Sequence, residues 1–180
     1  YFNHTFMRKS LTILLSLVAI VVLSVALSSC KDDEPTISGI YLYDLNGKPF
    51  NERTPKKYLK VAGANGQYKL SPNSVVELGE EAGFGIVASD MNSASQNRNG
   101  GYSSGVKLNG ETIYLAAWER FFFHHSRGIN SHLDYPALLK SGVRIQKSFI
   151  EPGNPLTIYK KAIDNGLIRL RDNEVHSLEY

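Results

Sequence analysis

The chain has 180 residues, 20 Lys and Arg against 17 Asp and Glu, 42% hydrophobic residues and one cysteine. That length suits a single domain able to bury about two thirds of its unfolded surface without covalent staples. A lone cysteine excludes a disulfide scaffold and a cysteine-type zinc site, and interspersed charges of both signs exclude the basic patch that nucleic acid requires.

Residues 1–6, Tyr1 to Phe6, precede Met7 and fit no part of the pattern that follows, so they are read as translated upstream sequence and set aside together with His4. Met7-Arg8-Lys9-Ser10 is a basic head, Leu11 to Leu27 is apolar except for Thr12, Ser16 and Ser24, and small residues stand before Cys30. These are the parts of a secretory signal over 7–29. An uncleaved membrane helix and a buried core helix are the competing readings of the same 17-residue run. In the former, Arg8 and Lys9 would stay inside and residues 31–180 outside.

Leu27-Ser28-Ser29-Cys30 resembles a bacterial lipobox. The resemblance implies diacylation of the Cys30 sulfur, cleavage before it, further acylation of the new amino group, and attachment to a membrane. Two or more acyl chains hold a protein durably, at about 0.8 kcal/mol per buried methylene. The acidic run Lys31-Asp32-Asp33-Glu34 looks like the export tag of Bacteroides-type surface lipoproteins, which implies the outer face of the outer membrane. Residues 30–37 would then form a tether spanning at most about 25 Å ahead of a single β-rich domain over 38–180. Without Arg8 and Lys9, 18 basic residues face 17 acidic ones, so the basic character of the whole chain is partly that of the signal.

Short β-type runs separated by turn residues fill the rest. Ile37 to Tyr43 is apolar and ends at Asp44-Leu45-Asn46-Gly47; Tyr58 to Val61 and Gln67 to Leu70 flank Ala62-Gly63-Ala64-Asn65-Gly66; Ser74 to Leu78 and Gly85 to Ala88 are further strands. Residues 89–105 are polar, and are read as disordered or as a binding loop. Val106 to Leu115 around Asn109-Gly110 is the clearest hairpin. Helix and strand both remain open for 117–125 and 155–165. Asp134 to Gly142 reads as a short helix capped by Asp134, with Pro136 in its first turn, and Val143 to Ile150 as a strand. The expected fold is mainly β, an antiparallel β-sandwich with one or two short helices. Val61 to Leu78, a Gly-rich turn, an aromatic strand and a Val-rich strand, resembles the opening strands of bacterial immunoglobulin-like domains, which implies an immunoglobulin-like sandwich.

Motifs that promise chemistry fail on context. Gly101-Tyr102-Ser103-Ser104-Gly105 matches a nucleophile elbow by letter, but a polar loop precedes it and a hairpin follows, where a strand and a helix are needed. Gly83-Phe84-Gly85 lacks the following helix that would hold a pyrophosphate. Asp90-x-Asn92 begins like a calcium loop, yet Ala94, Ser95 and Gly101 occupy ligand and turn positions. His124-His125 on a strand would point to opposite faces, and His132 with Asp134 is the remaining metal candidate; surface or half-buried histidines are the plainer reading. No cofactor, metal or catalytic residue is expected.

The aromatic stretch Tyr114 to Phe123 offers a binding surface, where Tyr114 and Trp118 beside Tyr102 would stack on a glycan or cover a protein partner; burial of Trp118 in the core is the alternative. The expected role is therefore a non-catalytic binding or accessory domain of a lipid-anchored envelope protein, tied to the membrane through Cys30. The competing expectation is a small hydrolase using Ser103 or a histidine-bound metal.

Overall fold

Alternation of side chains along two central strands decides the architecture. The structure, a computed structural model, describes residues 35–71, 75–91, 98–99, 101–120, 122–170 and 174–180. The fold is mainly β, with antiparallel sheets in a sandwich-like arrangement and two short α-helices. Strand β1 is Thr36–Asp44, β2 Lys56–Leu59, β3 Val61–Ala64, β4 Gln67–Leu70, β5 Ala82–Met91, β6 Arg98–Asn99, β7 Ser103–Leu108, β8 Glu111–Ala117, β9 Gln146–Lys147, β10 Tyr159–Ala162 and β11 Leu178–Glu179. The first sheet runs β2-β1-β5-β6, with β9 also on β5; the second runs β10-β8-β7-β11; β3 and β4 form a hairpin of their own.

Leu42 of β1 and Phe84 of β5 point toward Val106, Tyr114 and Ala116 of the second sheet and form the inner core, joined by Leu156, Ile158 and Ile168. Their neighbour Tyr43 points the other way, where Leu45, Ala137, Ile145 and Phe149 make an outer core. The first sheet is thus covered on both faces, by the second sheet on one and by helix and loop on the other. The outer layer comes close because β5 is bare there. A Cβ on Gly83 would lie 2.5 Å from the Phe149 ring, and one on Gly85 2.7 Å from Ile145. Gly83-Phe84-Gly85 is strand throughout, and its glycines make room for side chains, not phosphates.

Several expectations hold at residue level. Asn109-Gly110 and Asn65-Gly66 each place two residues at positive φ, as two-residue hairpin turns require. Helix α2, Tyr135–Ser141, is capped by the Asp134 carboxylate on the Ala137 N–H, carries Pro136 in its first turn and ends at a left-handed Gly142.

Others change. The first strand opens at Thr36, ahead of the expected boundary at 38. Residues 89–91 extend β5, 98–99 pair back on it and 103–108 form β7, so the polar stretch is partly sheet; 92–97 and 100 lie outside the described residues. Val75 to Gly79 forms no strand: Val76 and Leu78 pack on the inner core from an irregular segment. The hairpin of the immunoglobulin-like resemblance exists, but as a separate sheet.

The open region 117–125 resolves as strand to Ala117 and a 3-10 turn over Phe123–Gly128, followed by α1, Ile129–His132. Residues 159–162 are strand, and Ile163–Gly166 is a 3-10 turn in which Asp164, Asn165 and Gly166 all take positive φ. Of Val143 to Ile150 only Gln146–Lys147 is strand, because Ile145 and Phe149 dip onto the β5 glycines.

Gly83→Ala should be destabilising by about 1–3 kcal/mol, since the methyl meets a buried aromatic ring with little freedom to move. Urea unfolding checks this, and a stability equal to that of the parent chain would contradict the close approach.

Candidate functional site

Cys30 lies outside the described residues, and the other named positions separate. Tyr114 is fully buried, its hydroxyl donating to the Lys147 carbonyl at 3.3 Å. It is a core residue and not a stacking platform, because β8 turns that face toward the first sheet. Trp118 is half-buried, its ring edge-on to His132 with centroids 5.2 Å apart, and its backbone N–H donates to the Tyr102 carbonyl at 2.9 Å. Tyr102 stands 62% exposed. The expected trio is therefore reduced to Tyr102 beside Trp118.

Ser103 opens β7 opposite Ala117 in an antiparallel hairpin, which lacks the strained turn an elbow serine needs. His124 and His125 sit on a 3-10 turn, not on a strand, so their rings are adjacent, centroids 4.1 Å apart, instead of on opposite faces. His132 and Asp134 face different partners. Among the described residues no group of three or more His, Cys, Asp or Glu side chains is placed to hold a metal ion.

The polar cluster that sequence reasoning missed centres on Asp134, which is 0% exposed. Its carboxylate accepts from Tyr43 Oη at 2.9 Å, Lys56 Nζ at 2.6 Å and the Ala137 N–H at 3.0 Å. Burial alone would push its pKa up; the Lys56, Ala137 and Tyr43 hydrogen bonds outweigh it and hold the carboxyl below its usual range. Burial, then the Asp134 charge and hydrogen bond, pushes the Tyr43 phenol far up, so it remains a donor.

Lys147 is 1% exposed, with its ammonium 3.9 Å from the Phe50 ring centroid and paired with Glu151. Burial draws its pKa down to about 7 against the pull of Asp134, with Lys56 adding to the fall. A strand reading of Arg144 to Phe149 already puts Lys147 on the same face as the core residues Ile145 and Phe149, so its burial was legible in the period-2 pattern, while its partners Phe50 and Glu151 were not.

His132 is the second surprise. It is fully buried between Trp118 and Tyr159, and neither ring nitrogen has a hydrogen-bond partner among the described residues. Burial, then the Lys147 charge, lowers its pKa to about 4.

None of these shifted groups lines a groove of about 2340 Å³ between hairpin β3–β4, the Val75–Glu81 segment and the carboxy-terminal residues. Leu59, Phe84, Leu108 and Leu178 line its apolar floor, while Lys69 and Glu174 stand among its polar walls. A small-molecule pocket encloses about 300–1,000 Å³. A groove of that volume suits an extended chain better than a compact substrate.

Two measurements probe the buried groups. Because His132 titrates near 4 when folded and near 6.5 when unfolded, the unfolded chain takes up its proton first as pH falls. Stability should therefore drop by about 3 kcal/mol between pH 6.5 and 4, and His132→Phe should flatten that slope; an unchanged slope in the variant would exclude His132 as its source. At Lys147, a change to Met should leave stability within about 1 kcal/mol of the parent or raise it, whereas Glu151→Gln should cost more by stranding a buried ammonium. Thermal melts that reverse that order would contradict the pairing.

No family model matches this sequence, and neither a curated protein nor a solved structure matches the chain, so its functional reading stands on its own residues and geometry.

Proposed function

We propose that this protein is a lipoprotein of the cell envelope, exported by residues 7–29, acylated on Cys30 and displayed at the outer-membrane surface, where its β-domain binds a partner without transforming it. The observation that carries this reading is the succession of basic head, apolar run, small residues and sole cysteine, a pattern with a direct physical purpose in export and anchoring. The first strand begins at Thr36, six residues beyond Cys30, so the folded body follows the acylated residue closely. The groove supports the binding half of the reading. Its apolar floor and polar walls suit a peptide or glycan lying across the domain, and the buried polar residues Asp134, Lys147 and His132 do not line it.

Mass spectrometry of the amino-terminal peptide should find acyl chains on Cys30, and protease applied to intact cells should remove the domain. An unmodified leader retained on a cytosolic chain would overturn the proposal. For the groove, Val75 is 73% exposed at its wall, so Val75→Arg should leave the melting temperature unchanged and reduce photo-crosslinking to neighbouring envelope proteins; undiminished crosslinking would rule out the groove as the partner site.

A further inference from the structure

The start of the 3-10 turn after β8 presents two phenylalanines to solvent, Phe122 at 62% and Phe123 at 91% exposure, and Tyr102, bonded to Trp118 at the end of β8, is exposed as well. Burying a phenylalanine is worth about 1.5–3 kcal/mol, so leaving two outside on one turn calls for a covering surface. Arg120 and Arg127 are exposed on either side of the pair, and the neighbouring Glu119 is engaged by Lys160 at 2.7 Å. Phe122 stacks on His124, which holds its ring outward from the core. Aromatic rings framed by arginines make up a surface suited to the headgroup boundary of an anionic bilayer.

Topology places this turn at the end where the tether enters. Thr36 pairs with Ser89, Asp90 with Asn99, and Tyr102 follows three residues later, its carbonyl bonded to the Trp118 N–H. β1 and β7 therefore start, and β5 and β8 finish, at the same end of the sandwich. Lys48, beyond the far end of β1, marks the opposite end. The six residues from Cys30 to Thr36 reach at most about 21 Å, so a membrane that holds Cys30 lies within that distance of this end.

We propose that Tyr102, Phe122 and Phe123, framed by Arg120 and Arg127, dock onto the anionic lipid bilayer in which the chain is anchored, fixing the orientation of the domain. This rests on the acylation of Cys30 proposed above. The lipid provides attachment; the aromatic turn provides a second, weaker contact that restricts rotation on the tether.

The acylated full-length protein, reconstituted in phosphatidylglycerol-containing vesicles, tests this with an environment-sensitive bimane on Phe123→Cys or on Lys48→Cys. The expected result is blue-shifted emission and quenching by headgroup spin-labelled lipid at position 123 but not at 48, with loss of that quenching in Arg120→Glu/Arg127→Glu. Equal exposure of both positions on protein that floats with the vesicles would overturn the docking and leave anchorage intact. Protein that does not float would overturn anchorage, and docking with it. A blue shift at 123 without lipid quenching, growing with protein density, would mean that a second copy covers the turn and would likewise overturn it.

Discussion

A carboxylate with no access to water holds the outer layer of this domain to its first sheet. Asp134 is approached by Tyr43 from β1, by Lys56 from β2 and by the opening turn of α2. A charge in that position is tolerable only while all three donors remain, since an unpaired buried ion costs several kcal/mol. The arrangement fixes where α2 begins, and hence where Ala137 meets the Tyr43 and Phe149 rings. It also orders the chain beyond the helix, because the Asp134 N–H donates to the Ile145 carbonyl and brings the following segment against β5.

That segment then conceals a lysine. Lys147 must cross the outer layer to reach Glu151, and it does so between the Phe50 and Phe149 rings, whose negative faces offset part of its lost hydration. The charged groups and the aromatic groups of the outer core are therefore parts of one device. The inner core is built differently, from aliphatic residues and the Phe84 and Tyr114 rings between the two sheets, with few polar atoms. His132 sits beside the edge of that region against Trp118 and Tyr159, where its neutral imidazole behaves as a flat apolar ring.

Local turn chemistry made much of the fold legible. Asn-Gly pairs announce hairpins because both residues accept positive φ, and the Asp134, Pro136 and Gly142 triplet announces α2 by its caps. What escaped was set by distant partners. Val75 to Leu78 has strand-like residues but pairs with no strand among the described residues, so it packs as an irregular segment. Tyr114, read as a binding ring, points inward because the register of β8 on β7 puts it opposite Val106. Asp134 was legible as a cap but not as an ionic hub, since Lys56 stands 78 residues before it. The exposed Phe122 and Phe123 were read as one aromatic run with the buried end of β8, and only the break at the 3-10 turn separates them.

Strands β1 and β5 send alternate residues into both cores, Leu42 and Phe84 one way, Tyr43 and the Phe149-bearing face of Gly83 the other. Neither core can therefore dissolve while the other keeps its shape, because each needs the same two ribbons held straight. Sharing of strands in this way couples the two layers and favours their loss in one transition. Hairpin β3–β4, which among the described residues shares no ladder with either sheet, is tied to this pair of strands only by side-chain contact and by the short link from β2.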